Sequence, residues 1–205
     1  MSDVQNLFDE VLSFYRTRLN ETESSATQML KEVITRLEGA TALTAPESHS
    51  LGGARHWDHV IENLDLPKHP GLRDALSAAA PSFHWMQNPN YTDDLMGSGY
   101  MDNYGFIELV GSKAGFYEAE AVRCGLLLLG PGLHYPAHNH AAEEIYHVLS
   151  GDQTLWRRGE EDWCTHPTGA TIHHAPWMIH ETKTGDQPLL ALYCWLGDGG
   201  EAKLT

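Results

Sequence analysis

A chain of 205 residues, 41% hydrophobic and 20% charged, is long enough for one good core with an appendage and is ordinary for a soluble globular protein. Its formal net charge of -15 argues against nucleic acid and anionic membrane as partners, since both would repel it, and says little against a zwitterion. The three cysteines, Cys124, Cys164 and Cys194, show no paired spacing and so no disulfide framework. Cys124 and Cys194 fall in apolar runs and read as small core residues. No apolar run approaches a membrane span of about 20 residues. The acidic start MSDVQNLFDE lacks the basic region of a secretory leader, so a cytoplasmic location is expected.

In chain order, Val4 to Leu19 carries apolar residues at helical spacing (Leu7, Phe8, Val11, Leu12, Tyr15), with Ser2 or Asp3 available as cap. Glu23 to Leu37 repeats the pattern at Ala26, Met29, Leu30, Val33, Ile34 and Leu37, and Gly39 is placed to end it. Two amphipathic helices imply stripes buried on the rest of the chain, on each other or on a second subunit, so a homodimer is left open. Thr41 to Arg55 reads as a connection. Trp57 to Leu64 and Gly71 to Ala80 are short helical candidates, and Pro81 to Gly99 reads as irregular. His49, His56, His59 and His69 lack ligand spacing and are expected at the surface.

From about Tyr104 the texture changes. FIELVG, AVRCGLLLLG, EEIYHVLSG, DQTLWRRG, TIHHAPWMIHETKT and PLLALYCWLG are short apolar or alternating runs separated by turn residues. They predict a mainly β fold, a small antiparallel barrel or double-sheet jelly roll. The expected division is a helical segment over residues 1–100, packing on the barrel or a partner subunit, and the barrel over 101–205.

The richest stretch is Gly132 to Gly151, GLHYPAHNHAAEEIYHVLSG. Strand side chains alternate between faces, so His138 and His140 point the same way, as do Glu144 and Tyr146. Two imidazoles and a carboxylate on one face are a ready set of metal ligands. Tyr135 and Tyr146 flank them, and parity favours Tyr146 for the cavity. A free phenol has a pKa of about 10, too high for a base at neutral pH, and a nearby metal cation would lower it. Tyr193 and Trp195 share a face, and Trp177 lies just before His180. Rings in such positions can hold a cationic group, worth about 0.5–2 kcal/mol each. His173 and His174 cannot both face inward from one strand, and neither is assigned.

The spacing of Gly132, His138, His140, Glu144 and Gly151 resembles the first motif of the cupin superfamily at every signature position. The second motif is matched at Gly169 and His180. It departs at Pro176, displaced by one, at Trp177, where the pattern has glycine, and at Thr184, where it has asparagine. The resemblance implies the cupin double-stranded β-helix and a fourth ligand, His180. Three imidazoles and one carboxylate suit zinc, iron(II), manganese or nickel, and softness does not choose among them.

With the helical N-terminal segment and HYPAHNHAAEEIYHVLSG, the chain resembles the cupin-type dimethylsulfoniopropionate lyases of marine bacteria. The Q-type is closest and the L-type a near alternative, over roughly residues 130–185. Those enzymes split dimethylsulfoniopropionate into dimethyl sulfide and acrylate. The resemblance implies a small zwitterionic substrate, Tyr146 as base with Tyr135 assisting, a divalent transition metal ion and no organic cofactor. Two rivals share the motif: an iron(II) dioxygenase acting on a small thiol or organic acid, revealed by oxygen dependence, and a non-enzymatic ligand-sensing cupin, for which no helix-turn-helix is visible.

Overall fold

The structure, a computed structural model, describes residues 2–21, 25–197 and 200–205. Helices span Asp3–Glu21 (α1), Ala26–Glu38 (α2), Trp57–Glu62 (α3), Pro70–Ala79 (α4) and Asp93–Met96 (α5). Strands are Thr41–Ala42 (β1), Tyr104–Val110 (β2), Tyr117–Glu118 (β3), Val122–Leu129 (β4), His134–Asn139 (β5), Glu143–Ser150 (β6), Leu155–Arg158 (β7), Cys164–Thr165 (β8), Thr171–His174 (β9), His180–Lys183 (β10), Leu189–Leu196 (β11) and Lys203–Leu204 (β12). The expected start of the second helix at Glu23 lies outside the described residues.

Ser2 Oγ accepts the Gln5 N–H at 3.1 Å and caps α1. The α2 helix ends as Gly39 N–H turns back to Arg36 O. Leu7, Val11 and Leu12 of α1 and Met29, Val33 and Leu37 of α2 are all buried within one chain, so no second subunit is needed to cover them. The segment expected to be a mere connection also contributes β1, which pairs with β3 at Thr41↔Glu118. The segment expected to be irregular carries α5 and an antiparallel bridge from Met86 to Phe106.

The strands form two sheets in the cupin arrangement, stacked as a jelly roll rather than joined into one closed barrel. The seven-stranded sheet runs β1-β3-β2-β4-β11-β6-β9 and the five-stranded sheet β12-β5-β10-β7-β8. Alternation sorts the long strands of the larger sheet into two cores. Ile107, Leu109, Leu126, Leu128, Ile145, Leu149, Leu190 and Leu192 point outward and pack under the helices. Tyr104, Leu127, Leu129, Tyr146, Val148, Ala191 and Tyr193 point inward between the sheets. Burial on both faces explains the near-continuous apolar run of β4. Gly125 marks its closest approach: a Cβ there would lie 1.8 Å from Ile107 O, beside a bulge in β2.

His69, expected at the surface, is buried against Phe14 at 4.8 Å between ring centroids. The start of α4 and the side of α1 close over it. His147 is likewise buried, on the outward face of β6 between Phe14 at 5.0 Å and Tyr15 at 5.4 Å. Its Nδ1 meets Thr171 Oγ1 at 3.0 Å. Burial, helped by Arg18, holds the His147 pKa down to about 3. Between about pH 6.5 and 3 the unfolded chain takes up a proton that folded His147 refuses, so stability falls as pH falls through that window. His147→Gln is expected to flatten the decline. Thermal melts of both proteins from pH 7 to 4 test this, and parallel declines would refute it.

Candidate active site and metal centre

The β5–β6 and β9–β10 connections, each passing from one sheet to the other, bring the site together. On β6 the inward positions are Glu144, Tyr146 and Val148. Register places Glu144 opposite His174 on β9 and opposite Trp195 on β11. On β5, Pro136 and Ala137 sit in a register shift. Two steps along β10, from His180 to Thr182, match three along β5, from His138 to Tyr135. The bulge turns Tyr135 onto the face of His138, and their rings stack at 4.0 Å. Simple alternation would have put them on opposite faces.

His140, Glu144 and His180 are buried, and their donor atoms all lie within 4.8 Å of one another. His138 adjoins this group, its ring 4.1 Å from that of His180, but is not part of it. The Nδ1 atoms of His138, His140 and His180 each meet a backbone carbonyl, of Pro136 at 2.7 Å, Ala142 at 3.0 Å and Met178 at 2.9 Å. A carbonyl only accepts, so each Nδ1 carries the hydrogen. In the neutral ring Nε2 then keeps its lone pair, the tautomer a metal needs.

Glu144 is the hub. His174 Nδ1 donates to Oε2 at 2.9 Å, and Trp195 Nε1 donates to Oε1. His140 Nε2 lies 3.3 Å and His180 Nε2 3.1 Å from Oε2. Lone pairs converging on a buried carboxylate repel unless a cation lies among them. A proton on His140 answers this in part: burial lowers its pKa, but Glu144 outweighs burial and raises it. Burial alone would raise the Glu144 pKa, yet His140, His174 and His180 together hold it well below the usual carboxylate range. Burial, then His180, drives His138 well below its ordinary pKa and His174 to about 3, so both stay neutral. His174 Nε2 and His180 Nε2 are buried without a hydrogen-bond partner. This buried group of imidazole and carboxylate donors can hold one metal ion.

A cavity adjoins the cluster, and Tyr135, Tyr146, Tyr193 and Trp195 line it, with Tyr104, Phe106, Asn88 and Arg123. Trp195 stacks on His140 at 4.1 Å. Tyr135 shares a hydroxyl–hydroxyl contact of 3.1 Å with Tyr91. Burial raises both tyrosines well above the usual phenol pKa, helped at Tyr146 by the charge of Glu144 and at Tyr135 by its tyrosine neighbours.

The profile of the dimethylsulfoniopropionate lyases matches residues 22–191. This chain belongs to that family. A dimethylsulfoniopropionate lyase DddQ from Ruegeria pomeroyi is 30% identical over 136 residues, an alignment spanning 66% of this chain and 66% of the relative. A crystal structure from a study of the dimethylsulfoniopropionate lyases RdDddP and RnDddQII superposes with TM-score 0.80 at 26% identity, over 99% of this chain and 97% of that one. The crystal structure of the Ruegeria pomeroyi DddQ has the same fold, with TM-score 0.76 at 23% identity over 97% and 96% of the two chains.

Against this family background, Trp177 needs correcting. It is 58% exposed on the β9–β10 turn and does not line the cavity. It takes φ +63° where the motif carries glycine, and its N–H bonds His140 O at 2.8 Å. The left-handed turn points the ring at solvent, a strained conformation for a non-glycine residue. Thr184, in the place of asparagine, ties the strand ends: its Oγ1 donates to Gly130 O at 2.7 Å and accepts Leu133 N–H at 2.8 Å.

His174, unassigned from sequence, faces inward, while His173 faces outward to Ser25 at 2.8 Å and Glu143 at 2.7 Å. Register against Glu144 would have chosen between them. Tyr104, Phe106, Asn88 and Arg123 were also missed. Tyr104 and Phe106 share strand parity, which is a usable signal; Asn88 and Arg123 offered none. Among the described residues no helix is long and apolar enough to cross a membrane.

Proposed function

We propose that this lyase cleaves dimethylsulfoniopropionate by β-elimination at a metal-assisted site, with Tyr146 as the base. The observation that carries the reading is the convergence of His140, Glu144 and His180 beside the Tyr146 hydroxyl and the aromatic cavity. His140, Glu144 and His180, joined by His138, would hold a divalent transition ion, with zinc, iron(II) and manganese all suited to the donors. When bound, that ion supplies positive charge for the substrate carboxylate and for the negative charge that builds on it.

The chain's own residues do the rest. Tyr146 faces the cavity, near enough to Glu144 to feel its charge. Burial and Glu144 alone would keep its phenol protonated; the ion's positive charge beside it would offset both and favour the phenolate, which takes the proton from the carbon next to the carboxylate. The electron pair left behind forms the carbon–carbon double bond of acrylate. The carbon–sulfur bond breaks, and sulfur keeps the electron pair of that broken bond to leave as neutral dimethyl sulfide. Tyr135, stacked on His138, orients the substrate. Tyr193 and Trp195 present ring surface to the sulfonium. Aromatic walls, Tyr104, Phe106 and Trp195 among them, limit water around the developing carbanion.

The test is oxygen-free incubation of metal-loaded protein with dimethylsulfoniopropionate and headspace detection of dimethyl sulfide. Release at an unchanged rate without oxygen is expected. No release, or release that requires oxygen, would overturn the elimination reading.

A further inference from the structure

The last wall of the cavity comes from an unexpected place. Glu201 and Ala202, beyond the last long strand, line it together with Asn88, Tyr104, Phe106 and Trp195. Strand β11 ends at Leu196 in the seven-stranded sheet, whereas β12 belongs to the five-stranded sheet. The C-terminal segment therefore crosses from one sheet to the other at the cavity. Its hold on the far side is short: Lys203↔Asn139 and Leu204↔His138 on β5, then Thr205 N–H to Ala137 O at 3.0 Å. Ala202 is buried, and its carbonyl accepts from Asn88 Nδ2 at 3.5 Å. Glu201 forms an ion pair with Lys113 in the turn after β2.

That turn is itself braced. Glu108 Oε2 accepts the N–H groups of Lys113 and Ala114 at 3.1 and 3.2 Å, and Glu108 Oε1 pairs with Arg123 at 3.1 Å. Arg123 in turn lies over the Trp195 ring at 5.3 Å. The Lys113 anchor is thus braced and continuous with the cavity wall, while the C-terminal segment is held by an edge pairing of two residues, the hydrogen bonds of Thr205 and Asn88, and one part-exposed ion pair. Segments with so few bonds open locally at far lower cost than a central strand. The other walls contributed by β2, β4, β6 and β11 sit in long ladders and cannot part without unfolding the sheet.

We propose that residues Gly200–Thr205 form a strap that closes the substrate cavity, with Glu201 as the positioning residue that latches it to Lys113. Substrate and product pass when the strap lifts, and Ala202 completes the wall against the substrate when it seats. The inference rests on the lyase reading for its substrate but not for its geometry. The latch is read by charge reversal in full-length protein loaded with cobalt(II). Lys113→Glu and Glu201→Lys, each alone, put like charges together. Each is expected to speed removal of cobalt(II) by EDTA about three- to tenfold, the scale of one exposed ion pair reversed. Each is also expected to raise KM for dimethylsulfoniopropionate by a similar factor with kcat nearly unchanged. The double variant restores the opposite charges and is expected to return both quantities to wild type. Deleting residues 200–205 should exceed either single reversal. Wild-type stripping rates in both single variants, or a double variant no better than the singles, would overturn the strap. A wild type that releases no dimethyl sulfide would instead sink the lyase reading, and the stripping rates would still judge the strap.

Discussion

Tyr146→Phe is expected to keep fold and metal while losing activity by about 10²–10⁴, the usual worth of a positioned base. The substitution keeps a ring that packs on Trp156 at 5.4 Å and His174 at 5.8 Å, and it removes the hydroxyl beside Glu144. Tyr135→Phe should cost less. Its hydroxyl partner is Tyr91 rather than a carboxylate, and its stacking on His138 survives the change. The measurement is the rate of dimethyl sulfide release from metal-matched samples. Turnover near wild type in Tyr146→Phe would remove it from the role of base, and a deeper loss in Tyr135→Phe would exchange the two roles.

His180→Ala is expected to abolish most metal binding and activity together. His180 Nε2 is buried 3.1 Å from the Glu144 carboxylate, and its Nδ1 faces Met178 O. In the neutral ring Nε2 carries a lone pair, which repels the carboxylate without the ion, so the substitution then removes an unfavourable contact from the metal-free protein. The metal-free variant should accordingly melt no lower than the metal-free wild type. Elemental analysis of protein purified without chelators, paired with thermal melts, checks both halves. Full occupancy in His180→Ala would take this residue out of the ligand set. A metal-free variant that melts well below wild type would show that the imidazole serves packing rather than coordination.

Much of this was legible in the residues. Apolar periods of 3–4 in the N-terminal third and short alternating runs after Tyr104 identified helices and strands, because each period states which face must leave water. The spacing of His138, His140 and Glu144 pointed to one inward face, and the structure brings His140 and Glu144 together with His180, His138 beside them. Thr184 and Trp177 were visible as departures from a pattern, although their consequences were not. The structure shows Trp177 keeping the left-handed turn of the missing glycine and turning its ring outward.

What escaped the sequence depended on which strands became neighbours. His173 and His174 are equivalent by local rule, and only pairing with β6 puts His174 on Glu144 and leaves His173 outside. Tyr135 reads as facing away from His138 until the shift against β10 at Pro136 and Ala137 brings both to one side. His69 looks like polar surface until α1 lays Phe14 against it. Glu201 and Ala202, far along the chain from Asn88 and Tyr104, become cavity wall because the C-terminal segment changes sheets. The sequence by itself determined the shared face of the histidine and carboxylate motif, the helical stripes and the strand-rich character, since these follow from backbone periodicity and side-chain chemistry within a few residues. The tertiary structure decided which inward side chains meet, because bulges, register and crossings between sheets arise from contacts between segments that no local period encodes.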